Sequence, residues 1–174
     1  GFAYQLQGDR AAARKAYNEV ISIGQASGNT VFTLLATIGL SHLQEVDNQI
    51  HQAAETYRHV LQQLGERPLP FACEAHLGLA RVSYEWNDLV TAQQHAERSI
   101  ELARQVENND RFVASELFLA RVKLAHGDVA EATTILAEAE RSARQHNFVQ
   151  QLAELTAVQI HTLLQQDKLA KAAE

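Results

Sequence analysis

Apolar residues recur along this chain at intervals of three and four. After Asp88, the series Ala92, Ala96, Ile100 and Ala103 steps by four, four and three. After Arg111, the series Val113, Leu117, Ala120 and Leu124 steps by four, three and four. Such spacing draws one apolar stripe along a helix. The β-branched residues are scattered and never alternate with polar ones over a strand's length, so no sheet is expected.

Short turn signals interrupt the stripes, and each is followed by a small residue. Gly8-Asp9 leads to Ala13, Asn48-Gln49 to Ala53, Asn87-Asp88 to Ala92, Gly127-Asp128 to Ala132, and Gln166-Asp167 to Ala172. The alanines are 40, 39, 40 and 40 residues apart. A second column holds Leu40, Leu79, Leu119 and Val158, and a third holds Tyr17, Tyr57, Ala96 and Leu136. Each column keeps an apolar or small residue, as a packed seam between repeated units requires.

The ends of the stripes carry caps. Asp9, Asp88 and Asp128 are placed to accept from free N–H groups of the following helix. Glu131 stands three residues after Asp128, in the spacing of a capping box. Gly8 and Gly127 suit a left-handed residue closing the preceding helix. Pro68 and Pro70 mark the longest loop and a helix start near Leu69. The pattern predicts the end of a helix over 1–7, then pairs at 9–27 with 30–46, 49–65 with 69–86, 88–107 with 110–126, and 128–146 with 148–166. A ninth helix is predicted from 167. The expected fold is all-α, a superhelical solenoid of about four antiparallel hairpins, forming one repeat domain over 1–174.

The period and pattern resemble a tetratricopeptide repeat with longer helices than the usual unit. The stretch Arg67-Pro68-Leu69-Pro70, then Ala75-His76-Leu77-Gly78-Leu79-Ala80, then Tyr84-Glu85-Trp86-Asn87-Asp88-Leu89, is more specific. It is similar to the tetratricopeptide-like region of the large MalT-like, LuxR-type ATP-dependent transcriptional regulators of bacteria. Gly8-Asp9-Arg10-Ala11-Ala12-Ala13, the stretch from Leu117 to Asp128, and Ile135-Leu136-Ala137-Glu138-Ala139-Glu140 fit the same pattern. The resemblance implies a region between a nucleotide-binding module and a helix-turn-helix, receiving an inducer or a regulatory protein. It further implies a bacterial, cytoplasmic setting, with ATP and DNA engaged only by other domains of the parent chain.

Composition narrows the function. The net charge is −6, with both signs interspersed. Binding to nucleic acid by this segment alone needs a concentrated basic face, which is missing. The single cysteine, Cys73, has no partner for an internal disulfide, which fits a cytosolic setting. The longest nearly apolar stretch, Val31 to Leu40, is far short of the ~20 residues of a membrane span, so no membrane role is expected. The chain starts mid-pattern and has no methionine, and is expected to be part of something larger, with apolar hairpin faces at both ends.

No catalytic chemistry is expected. There is no phosphate-binding Gly-x-x-x-x-Gly-Lys-Ser/Thr loop, no Gly-x-Gly-x-x-Gly, and no His-Glu-x-x-His. No cofactor or metal is expected in this segment. Cys73 sits at a helix start, where a thiolate gains some stability, but a buried packing role is the expected one. None of the eight histidines stands three or four residues from another. Glu55 and His59 are four apart and read as a surface pair. Tyr84 and Trp86 precede a turn, where aromatic rings either stack on a ligand or lock one hairpin to the next; locking is the expected role.

A binding surface is inferred from the columns. In stacked hairpins the first helix of each pair lines the concave face. Two residues after the leucine column stand His42, Arg81 and Arg121; three before it stand Thr37, His76 and Glu116. Together with Tyr84 these are the expected groove residues, contacting a protein or small-molecule effector. The competing expectation is a solvated face with local ion pairs. The expected function is an effector- or protein-binding sensor and interaction module of a LuxR-type regulator. The alternative is a generic adaptor that clasps a peptide.

Overall fold

The structure is a computed structural model that describes residues 8–65 and 69–172, with side chains given for 8–65, 69–160 and 162–164. Among these residues the chain forms eight helices and no strand. They are α1 (Arg10–Ser27), α2 (Thr30–Val46), α3 (Ile50–Leu64), α4 (Pro70–Glu85), α5 (Leu89–Gln105), α6 (Asn109–His126), α7 (Val129–Gln145) and α8 (Val149–Ala172). The expected helix over 1–7, the role of Pro68 and the packing of Ala172 lie outside the described residues.

The turns are built as their residues dictate. Gly28 and Gly127 close α1 and α6 in the left-handed region, at φ 68° and 88°. Asn48, Asn87 and Asn147 hold positive φ at three further turns. Asn tolerates this conformation because its short polar side chain bonds locally. Asp9 and Asp88 accept from the N–H groups of Ala12 and Thr91 at 2.9 and 3.1 Å. Asn29 and Asn108 cap α2 and α6 in the same way. Pro70 opens α4 behind an extended Leu69.

Two expectations about the ends are corrected. Asp128 makes no side-chain capping bond, and Glu131 instead meets Lys123 Nζ at 2.9 Å. No turn forms at Gln166-Asp167: α8 runs unbroken to Ala172, so there is no ninth helix at 167. The turns at Gly28, Asn48, Asn87, Gly127 and Asn147 reverse at a Gly or Asn, and another reverses at Glu107, which holds φ 54°; the Gln166-Asp167 stretch instead continues as helix.

Each helix packs on its neighbours in the chain, and α2, α4, α6 and α8 also touch one another in series. No comparable contact joins the odd-numbered helices among the described residues. The even helices are therefore the more closely packed, inner row of the stack. These are the second helices of the predicted pairs, not the first; the leucine column they carry is nonetheless on the inner row. The alanine column, Ala13, Ala53, Ala92 and Ala132, is fully buried on the other row.

The core is a string of three clusters, each shared by consecutive helices. One joins α2 to α5 through Leu34, Tyr57, Val82 and Leu102. One joins α4 to α6 through Leu77, Ile100 and Val122. One joins α6 to α8 through Leu117, Leu136 and Val158. Phe112 packs against all three. The third column sorts by size against the inner row. Tyr17 faces Gly39 and Tyr57 faces Gly78. One repeat on, Ala96 shares its cluster with Phe118. The large and small partners have changed places, which keeps the seam volume roughly constant.

Candidate partner-binding face

The two polar columns do not share a face. Residues 37 and 42, 76 and 81, and 116 and 121 are each five apart, which at 100° per residue puts them about 140° apart around a helix. The column of His42, Arg81 and Arg121 looks along the inner row. The column of Thr37, His76 and Glu116 does not join it. Thr37 donates to its own helix, to the Thr33 carbonyl at 2.7 Å. His76 meets His95 on α5, Nδ1 to Nδ1, at 2.9 Å. Glu116 is buried in a cleft with residues of α5 and α7.

Polar contacts link the even helices in series. Arg81 on α4 grips Glu45 on α2 with both Nε and Nη2 at 2.8 Å. The Tyr57 hydroxyl on α3 donates to the same carboxylate and lies 3.3 Å from Arg81 Nη2. Glu74 at the start of α4 pairs with Arg111 on α6 at 2.9 Å. Asp110 beside it accepts from Gln151 on α8. Burial opposes the charge on Arg81, but the hydrogen bonds and charge of Glu45 outweigh it and hold the guanidinium above its ordinary value. His42 is held below the usual imidazole value by burial and then by Arg81, against the pull of Glu45 and Glu74. It therefore belongs to the same field.

The next repeat fills the same rung differently. Arg121 stands where Arg81 does, one repeat on, and Tyr84 where Glu45 does. The Arg121 guanidinium lies 5.7 Å from the Tyr84 ring centre and 5.6 Å from that of Phe118. Tyr84 and Phe118 meet edge to face at 5.7 Å. A cation over rings replaces an ion pair. Tyr84 thus packs α4 on α6, joining two predicted hairpins as expected. Trp86 instead packs on His51 of α3 at 5.0 Å, inside the predicted pair 49–65 with 69–86, and does not join it to the next.

Three members of the inner patch, Glu45, Glu74 and Arg111, carry no repeat signal in the sequence. Glu45 lies three residues after His42 and Glu74 seven before Arg81, spacings that return to one helix face; that is the signal available. Cys73 is buried, its thiol bonded towards the Leu69 carbonyl and pushed up to about 11 by burial, so it packs. His59 meets Gln63 at 2.9 Å. Among the described residues no three or more His, Cys, Asp or Glu are grouped to hold a metal, and no helix is long and apolar enough to cross a membrane.

The fold has known counterparts. BtubC (BKLC) from P. vanneervenii superposes with a TM-score of 0.63 at 16% identity, covering 80% of this chain. The chain spans 57% of that protein. One crystal structure of a putative kinesin light chain with nearly identical TPR-like repeats, from Podosopora anserina, gives 0.63 at 18% identity, covering 97% of this chain and 92% of its own. A second crystal structure of those repeats gives 0.60 at 19%, covering 92% of each. Identity this low speaks for the fold alone. No curated protein matches the sequence. The family model for the MalT-like TPR region matches residues 1–174. Eight helices in a stacked repeat, a crowded inner row and that match over the whole length make this chain a helical-repeat interaction module, and it belongs to the MalT-like TPR region family.

Proposed function

We propose that the chain is the effector- or protein-binding sensor of a LuxR-type, MalT-like transcriptional regulator, and that it performs no chemistry itself. The observation that carries this reading is the set of charged rungs crossing from one inner helix to the next. Glu45–Arg81 and Glu74–Arg111 each join two different repeats, and their side chains remain 13–37% exposed at the inner face. A ligand that competes for these groups changes the contact between repeats, not just the surface of one helix. An effector that binds one arrangement of the repeats better than another then biases any domain attached to them. ATP and DNA would be engaged by such domains, in the cytoplasm of a bacterium, and this segment needs no cofactor.

The test is binding and response together. Candidate metabolites and partner proteins are titrated against the chain, and against its Arg111→Gln and His42→Gln variants. The parent protein carrying the same changes is assayed for induced transcription. The reading expects an effector whose affinity for the chain and whose inducing concentration shift together. A parent that responds normally with both groups replaced overturns it. A peptide that binds the inner face while the parent has no DNA-binding domain supports the alternative, a generic adaptor.

A further inference from the structure

Away from the inner face, a cleft of about 490 Å³ opens between α5, α6 and α7. Glu116 of α6 lies in it with its side chain only 5% exposed. Its Oε2 is buried and meets no donor. Its Oε1 has Arg104 of α5 at 3.8 Å, beyond hydrogen-bond range, and that side chain is 62% exposed and drawn over the Phe112 ring. A buried carboxylate oxygen without a donor is costly, by more than a neutral group would be. The rest of the cleft does not relieve it. Ile100, Leu119 and Ile135 supply apolar lining. Glu97 and Glu101 of α5 and Glu131 and Glu138 of α7 add negative charge. Glu131 is matched by Lys123 and Glu101 by Arg98, but no cation is paired with Glu97 or Glu138 among the described contacts.

We propose that this cleft is a second binding site, which takes the aliphatic cation of a lysine or arginine side chain from a protein partner. An alkyl stem matches the apolar lining, and its charged head pairs with the carboxylate of Glu116, which lines the cleft. A metal ion is a poorer occupant, because no ligand set of three or more is assembled among the described residues. An anion is repelled by five glutamates set against Arg104. Arg104 itself is the internal competitor, close enough to moderate the charge of Glu116 but too far to satisfy it. Burial pushes the Glu116 carboxyl up to about 7, Arg104 pulls it back and Glu138 raises it further. Cation binding is therefore favoured as pH rises through neutrality, with Glu97, Glu101 and Arg104 facing the group from α5, Glu131 and Glu138 from α7, and Lys123 sharing its helix.

Calorimetric titration of the chain with acetylated Gly-Lys-Gly amide, its arginine and norleucine counterparts, and free 1,5-diaminopentane tests this. The lysine or arginine peptide should bind, more tightly at pH 8 than at pH 6, and the norleucine peptide should not. Glu116→Gln should weaken binding about tenfold or more, as loss of one member of a buried charge pair does. Arg104→Gln should strengthen it, and the exposed-rim double variant Glu97→Gln/Glu138→Gln should weaken it without disturbing the fold. Unchanged affinity in Glu116→Gln overturns the site. So does no binding of any cation to the native chain and to Arg104→Gln at about 10 mM, a concentration that detects even very weak sites. Tighter binding of the free diamine than of either peptide overturns the protein source.

Discussion

The ring of Tyr57 lies against the bare α-carbon of Gly78, so that a β-carbon there would fall inside the contact distance of three ring atoms. The ring has no room to retreat: Tyr57 is fully buried, and its hydroxyl is tied to Glu45 and Arg81. In an exposed helix, Gly to Ala gains about 1 kcal/mol. Here Gly78→Ala should instead cost about 1–3 kcal/mol, the usual penalty of overpacking. Urea unfolding measures it. Pairing it with Tyr57→Leu should cost less than the sum of the two single changes, because the smaller residue gives back the space.

Arg81 holds α4 to α2 through a two-point grip on a carboxylate that is only 13% exposed. Arg81→Ala leaves Glu45 without its cation and should cost about 2–4 kcal/mol. Arg81→Lys should recover little of this, since an ammonium lacks the planar fork. Replacing both, as Arg81→Met with Glu45→Leu, should cost less than Arg81→Ala alone. Thermal unfolding of the variants orders them.

Glu116 makes stability fall as pH rises. Its carboxyl is raised in the fold from 4.5 to about 7 by burial. Between these values the folded chain holds a proton that the unfolded chain has lost, so the slope of stability against pH is negative there. The favourable contribution is full below about pH 4.5 and is gone above about pH 7. Glu116→Gln should remove this slope and raise stability at pH 8 by on the order of 2–3 kcal/mol. Chemical denaturation at pH 5 and pH 8 reads the difference.

The His76–His95 pair works in the other direction. Burial and then the neighbouring His95 push His76 down from 6.5 to about 4, and burial and then Arg58 lower His95. The unfolded chain binds protons first as pH falls, so stability is present above about pH 6.5 and is lost towards pH 4. His76→Gln should flatten that acid loss. In the native chain the glutamate and the histidines oppose each other between pH 4.5 and 6.5, so each single variant should steepen what the other leaves. Imidazole and carboxylate signals followed by NMR titration identify which group accounts for each slope.

The candidate site was legible in part. His42, Arg81 and Arg121 stand in register in the sequence, and the structure sets all three along the inner row. Thr37, His76 and Glu116 were in register too, yet they face elsewhere, because five residues along a helix turn a side chain about 140° away from the first column. His76 and His95 are 19 residues apart, and no local spacing joins them. Glu45 finds Arg81 across 36 residues, a pairing made only when one repeat stacks on the next.

The sequence by itself determined the helices, their turns and the 39–40-residue period, because stripe spacing and capping residues act within a few positions of the chain. It erred at Gln166-Asp167, where the period of the columns persisted but the helix runs on unbroken. The tertiary structure decided which helix row turns inward, which side chain fills each rung, and that Glu116 is left bare between three helices. Those outcomes depend on how whole repeats pack, and packing is settled by volumes and charges brought together from distant parts of the chain.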